Sequence, residues 1–195
     1  EWRQALPAAT AVELIHNATL IHDDIEDASQ TRHQRATVWS LWGIGQAINA
    51  GDMLWALGRS SLYRLVEQGM DPNRVRFVSR LLDETCASIF RGQYLDMATE
   101  GDLSVREDTY LALVQGKTAA LIGASLQTGA ALGCASSTLI EQLGRFGQHL
   151  GMAFQITDDL LGIWGDPEVT GKPAGGDLLA RKMTLPVILA LAWEQ

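Results

Sequence analysis

Five long segments of this chain repeat apolar residues every three or four positions, and no convincing run of alternating apolar and polar positions interrupts them. They read PAATAVELIHNATLIHDDIEDA (7–28), GQAINAGDMLWALGRSSLYRLVEQ (45–68), PNRVRFVSRLLDETCASIFRGQYLDMATE (72–100), REDTYLALVQGKTAALIGASLQTGAALG (106–133) and STLIEQLGRFGQHLGMAFQITDDLLGIW (137–164). The breaks at QGMDP, EGDLS and GDPEVTGKPAGGD are rich in Gly, Pro or Asp, as helix ends require. The expectation is an all-α helical bundle. At 195 residues, 47% of them hydrophobic, the chain can bury a sizeable core, and no composition shift marks a second domain. One domain over residues 1–195 is therefore expected. Nineteen glycines among these helices point to close helix packing. The chain opens on Glu1 rather than Met, and TLPVILALAWEQ starts a new apolar helical pattern at its end, so both ends look cut.

Charge narrows the functions. A formal net charge of -8, with 15 Lys and Arg that nowhere cluster densely, argues against nucleic acid, whose phosphates need a basic face. Metal ions or cationic partners suit the chain better. Cys86 and Cys134 form neither a disulfide framework nor a metal-ligand pattern, and read as buried thiols in a reducing cytosol. No run of about 18 apolar residues suggests a membrane span, and no charged-then-apolar leader is present.

The stretch IHDDIEDASQTR places Asp23, Asp24 and Asp27 at the end of an apolar helical run. Residues advance by about 100° in a helix, so Asp23 and Asp27 lie within about 40° of each other, with Asp24 beside them. Like charges one turn apart repel, and a divalent cation removes that penalty. Mg²⁺ takes hard oxygen ligands, usually one or two carboxylates completed by water and phosphate oxygens. Alone, such a cluster is as readily a solvated acidic face. FQITDDLLGIWGD supplies a second pair, Asp158 and Asp159, after another apolar helix. Two acidic turns facing one another across a bundle core would hold several metal ions. Lys117 with Thr118 in QGKTAAL, Arg32, and Lys172 in VTGKPAGGDL add cations suited to a polyphosphate. GDPEVTGKP is no P-loop, because five residues separate its glycines and Pro173 stands where Ser or Thr must bind metal. His16 and His22 read as hydrogen-bonded helix residues rather than ligands, and Trp39, Trp42, Trp55 and Trp164 read as core.

In this order, LIHDDIEDASQTR, GQYLDM, GKTAAL, FQITDDLL and VTGKPAGGDL resemble the signature of the trans-isoprenyl diphosphate synthases across nearly the whole chain. The resemblance implies an isoprenoid-synthase helical bundle with a central active-site cavity. It implies a Mg²⁺-dependent prenyltransferase, with three ions when diphosphate is bound, in which an allylic diphosphate ionises and isopentenyl diphosphate attacks the cation. By position, Asp23, Asp24, Asp27, Asp158 and Asp159 would hold metal, with Asp23, Asp24 and Lys117 at the centre of catalysis. Arg32, Lys117 and Lys172 would contact the allylic diphosphate, Thr118 and Gln155 would place the substrates, and His33 would meet isopentenyl diphosphate. A cytoplasmic homodimer is the family expectation. The chemistry needs no side-chain nucleophile: cations stabilise the departing diphosphate while apolar walls avoid trapping the carbocation.

Three departures stand out. The third aspartate usual in the second motif is Gly162 here, with Asp166 the nearest substitute. Two arginines and a glycine usually follow the first motif, where this chain reads Arg32, His33, Gln34. The family's N-terminal basic motif for isopentenyl diphosphate would lie upstream of Glu1. The small Ala18, five residues before Asp23 and next to Thr19, predicts a deep pocket and a product of C20 or longer, and Ala18→Phe should shorten it. The rival readings are a class I terpene cyclase, which needs no isopentenyl diphosphate, and a non-catalytic subunit of a heteromeric synthase. Lys117 with Thr118 and the second aspartate pair weigh against the cyclase, and the intact first aspartates against the decayed subunit.

Overall fold

The computed structural model describes residues 2–166 and 175–193, and Lys172 lies outside them. The described residues are predominantly helical and fall into two compact units, Glu1–Glu84 with Ser125–Glu141, and Thr85–Ala124 with Gln142–Gln195.

In the first unit a 3₁₀ turn, Trp2–Ala5, leads into α1, Leu6–Glu26, with Pro7 in its first turn, where a missing N–H costs nothing. Ala8, Ala11, Ile15 and Ala18 recur at helical spacing and are buried where α1 packs on α3, Ile44–Ser61. Small residues allow the close approach: a Cβ on Gly58 would come within 3.2 Å of the Ala11 carbonyl and 3.3 Å of Ile15 Cγ1. Burying Ile15 alone is worth about 1.5–3 kcal/mol. Ser61 ties the two helices together by donating from Oγ to the Pro7 carbonyl at 2.8 Å. The segment expected as one helix over 45–68 is two. Its chain tightens at Leu62, where i→i−3 bonds, Leu62 N to Arg59 O at 3.2 Å and Leu65 N to Leu62 O at 3.1 Å, precede α4, Tyr63–Glu67. A short α2, Val38–Trp42, ends at Gly43, whose φ of 81° only glycine adopts without strain.

α5 spans Pro72–Thr99, α6 Glu107–Val114, α7 Ala120–Leu132 and α8 Ser137–Trp164, so the remaining expected helices appear within a residue or two. Between α6 and α7 lies a feature periodicity does not signal, a π-helical turn over Gln115–Ala119. In the second unit Tyr110, Val114 and Ile188 form a buried cluster, backed by Met152, Ile156 and Leu185. It joins α6 to α8 and to α10, Leu185–Trp193, which follows the one-turn α9, Gly176–Leu179.

Two readings from the sequence change. Cys86 is buried, but Cys134 is exposed at a positive φ of 67° and accepts a contact from Arg74 Nη1 at 2.5 Å, because it sits in the turn after α7. Trp42 and Trp164 are 65% and 68% exposed and contribute nothing to a core, both standing at helix ends.

Candidate functional site

The first acidic turn is the last turn of α1, followed by an element that the sequence did not signal. Thr31–Arg32 and Arg35–Ala36 pair as a two-residue antiparallel hairpin, with His33 at φ 49° and Gln34 at φ 61° in its turn. Both fall in the left-handed region that non-glycine residues occupy at a cost of about 1 kcal/mol each, which is why no Asn-Gly-type signal announces the turn. Thr37 Oγ1 and Trp39 Nε1 each donate to the Ser29 carbonyl at 2.8 Å and fasten the hairpin's base. The hairpin returns Arg32 to the aspartates: Nε donates to Asp24 Oδ1 at 2.8 Å and Nη2 to Asp23 Oδ2 at 3.0 Å. Asp24 is buried, Asp23 half-buried and Asp27 exposed. Burial pushes the Asp24 carboxyl above its ordinary value, Arg32 opposes this, and the charges of Asp23 and Asp27 add to it. His33 is exposed beside this group; His22 contacts Asp52 at 3.7 Å rather than the acidic turn.

Lys117 and Thr118 sit on the π-helical turn, held from two sides by backbone. A Cβ on Gly92 of α5 would strike the Lys117 amide nitrogen and lie 2.8 Å from the Gly116 carbonyl carbon; one on Gly151 of α8 would lie 2.9 Å from Ala119 Cβ. Lys117 Nζ donates to Asp96 Oδ2 at 2.5 Å. Thr118 Oγ1 donates to Gln155 Oε1 at 2.9 Å, and Gln155 Nε2 donates to Asp159 Oδ1 at 3.0 Å. Asp159 is 5% exposed and also accepts from the Tyr110 hydroxyl at 2.6 Å and from the Leu185 amide at 3.3 Å. Burial, reinforced by the Asp159 charge, pushes the Tyr110 phenol well above its ordinary range, so it stays protonated. Asp158, one residue back, is only half-buried.

Gly162 has a neighbour that the sequence reading missed. A Cβ there would strike the Asp177 carboxylate, with Cγ at 2.6 Å, so Asp177 of α9 fills the space beside the helix face one turn after Asp158. Asp166, the substitute expected from sequence, is exposed in the loop after α8. Asp96 and Tyr110 were missed as well. Asp96 lies in the GQYLDM motif, four residues before the EGDLS break, and only the helix crossing shows that it meets Lys117.

Among the described residues, no three His, Cys, Asp or Glu side chains converge on one point. Mg²⁺ typically takes one or two carboxylates and completes its shell with water and phosphate oxygens. The residue chemistry fits within each unit taken by itself: Asp23 and Asp27 offer hard oxygens one turn apart at the end of α1, and Asp158 offers one on α8.

The chain matches the sequence model of the polyprenyl synthetase family over residues 1–195. It is 49% identical over 187 residues to a geranylgeranyl diphosphate synthase of Mycobacterium tuberculosis, covering 96% of this chain and 52% of that one. A (2E,6E)-farnesyl diphosphate synthase of the same species is 44% identical over 188 residues, covering 96% and 51%. The fold resembles the crystal structure of a polyprenyl synthetase from Streptomyces coelicolor A3(2), with a TM-score of 0.88 at 42% identity, over 97% of this chain and 54% of that one. A geranylgeranyl pyrophosphate synthetase from Pyrococcus horikoshii gives a TM-score of 0.90 at 34% identity, over 96% and 57%. The chain spans about half the length of the relatives it matches. Its ordered motifs, its helical fold and these matches agree: the chain belongs to the polyprenyl synthetase family.

Proposed function

We propose that the chain carries the metal- and diphosphate-binding machinery of a trans-prenyltransferase that joins an allylic diphosphate to isopentenyl diphosphate. The product is a trans-polyprenyl diphosphate of C20 or longer. The observation that supports this best is the π-helical turn, which holds an ammonium and a hydroxyl, Lys117 and Thr118, in a setting fixed by backbone packing and partly buried hydrogen bonds. Π-helical turns inside helices recur at functional sites, and a fixed cation suits a diphosphate that must depart with high negative charge.

Each residue has a part in this reading. Of the five aspartates expected to hold metal, Asp23, Asp27 and Asp158 are assigned to Mg²⁺ in this reading, while Asp24 keeps Arg32 aimed through their 2.8 Å contact and Asp159 is occupied by protein donors. When bound, Mg²⁺ neutralises the diphosphate and lowers the barrier to its departure. Arg32, Lys117 and Lys172 bind the allylic diphosphate, and His33 meets isopentenyl diphosphate. Asp96 orients Lys117, and Thr118 with Gln155 places the reacting carbon. The carbon–oxygen bond to diphosphate breaks, the double bond of isopentenyl diphosphate attacks the cation, and a proton is lost to restore the alkene. Diphosphate itself accepts that proton. In this reading residues 1–195 belong to one isoprenoid-synthase domain of a cytoplasmic homodimer, as the family resemblance implies. Among the described residues no helix is long and apolar enough to cross a membrane.

The test is incubation of the chain, and of a version extended to the length of its relatives, with farnesyl diphosphate, labelled isopentenyl diphosphate and Mg²⁺, followed by sizing of the products. Labelled product of C20 or longer is expected. Turnover that needs no isopentenyl diphosphate would instead favour a cyclase.

A further inference from the structure

Thr118, Gln155, Asp159 and Tyr110 form a hydrogen-bonded chain whose direction is set at its buried end. The Tyr110 hydroxyl, in a side chain 3% exposed, donates to Asp159 Oδ2 at 2.6 Å. An ionised carboxylate only accepts, so the Gln155 amide must turn its NH₂ to Asp159, as it does at 3.0 Å. That leaves the Gln155 carbonyl facing Thr118, and the hydroxyl spends its single proton there at 2.9 Å. The Leu185 amide at the start of α10 adds a donor to Asp159 at 3.3 Å, where a helix N-terminus favours an anion. Tyr110 itself is locked by Val114 and Ile188.

We propose that Tyr110 is a positioning residue which, acting through Asp159 and Gln155, fixes the Thr118 proton so that this hydroxyl meets the substrate with oxygen lone pairs instead of a donor. The inference rests on the reading of Lys117 and Thr118 as the allylic diphosphate site. An acceptor beside Lys117 repels phosphate oxygens and accommodates a carbon that gains positive charge, so the two residues sort the two ends of the substrate. Asp159 acts in this relay, which leaves Asp158 as the member of the pair assigned to metal.

Two readouts test the relay. The first needs no turnover: in the purified chain the Gln155 side-chain amide is identified by ¹⁵N NMR through its loss in Gln155→Met, and its exchange with water is compared with that in Tyr110→Phe. Loss of the hydroxyl should speed exchange about tenfold or more, since one bond of this strength is worth about a factor of ten. Backbone amides of α6 should be unchanged. Equal Gln155 exchange in both proteins overturns the proposal. The second is a double-mutant cycle on kcat with farnesyl and isopentenyl diphosphates. Tyr110→Phe should lower kcat about tenfold while KM stays within about twofold, and Tyr110→Phe combined with Thr118→Val should be no worse than Thr118→Val alone. Losses that multiply overturn the serial relay. A chain extended to full length that turns nothing over, with Gln155 exchange still responding to Tyr110→Phe, refutes the prenyltransferase reading and leaves the wiring standing.

Discussion

Gly92→Ala adds one methyl group where α5 crosses the π-helical turn. The new Cβ meets backbone only: the Lys117 amide nitrogen, Gly116 C at 2.8 Å and Lys117 Cα at 2.9 Å. Ordinary carbon contacts lie at about 3.5–4.0 Å, so the two segments must separate by roughly 1 Å. No side chain there can swing aside. Overpacking of this kind costs about 1–3 kcal/mol, partly offset by about 0.5–1 kcal/mol from replacing a helical glycine. A net loss of about 1–2 kcal/mol lowers Tm by roughly 2–8 °C in a chain of this size. The larger effect falls on function, because a displacement of about 1 Å at a positioning group can cost about a hundredfold in rate. Gly129→Ala is the control: it lies within α7 with nothing within 4 Å of its new Cβ and should gain about 0.5–1 kcal/mol. Thermal melts and prenyl transfer assays on the two variants decide the matter. If Gly92→Ala melts and turns over like Gly129→Ala, the claim that paired backbones fix Lys117 is wrong.

Arg32→Ala leaves the buried Asp24 without its guanidinium and should cost about 1–3 kcal/mol in a denaturant melt, with Arg32→Lys only partly restoring it because one ammonium does not span two carboxylates. Asp159→Asn forces an amide NH₂ against protein donors and should lower Tm by roughly 4–8 °C, the effect of about 2 kcal/mol. Asp158→Asn, at a half-buried position, should lower Tm less than Asp159→Asn and weaken Mg²⁺-dependent diphosphate binding; equal Tm shifts would refute the division of labour between the pair. Ala18→Phe should shorten the prenyl products sized by chromatography, although Ala18 is fully buried and the ring also crowds the contact between α1 and α3; products of unchanged length would sink the pocket-depth argument.

The helices were legible because burial imposes a period of 3.6, and α1, α5 and α8 carry it without interruption. What periodicity could not show is where a helix changes pitch. The π-helical turn and the break at Leu62 keep the same apolar spacing while altering which atoms meet. The hairpin was hidden because His33 and Gln34 occupy left-handed positions without the glycine that normally marks them. At the candidate site, residue types and motif order singled out Asp23, Lys117 and Asp158. Tyr110, Asp96 and Asp177 were out of reach because each meets its partner only after helices cross, 49, 21 and 15 residues apart in sequence.

Calorimetric titration of inorganic diphosphate into the chain, with and without Mg²⁺, tests most directly the claim that the acidic turn is a metal clamp for diphosphate. Binding should require Mg²⁺ and disappear when Asp23 and Asp27 are both changed to alanine, in a protein that still melts cooperatively. Diphosphate binding that ignores Mg²⁺, or that survives the double substitution, would contradict it.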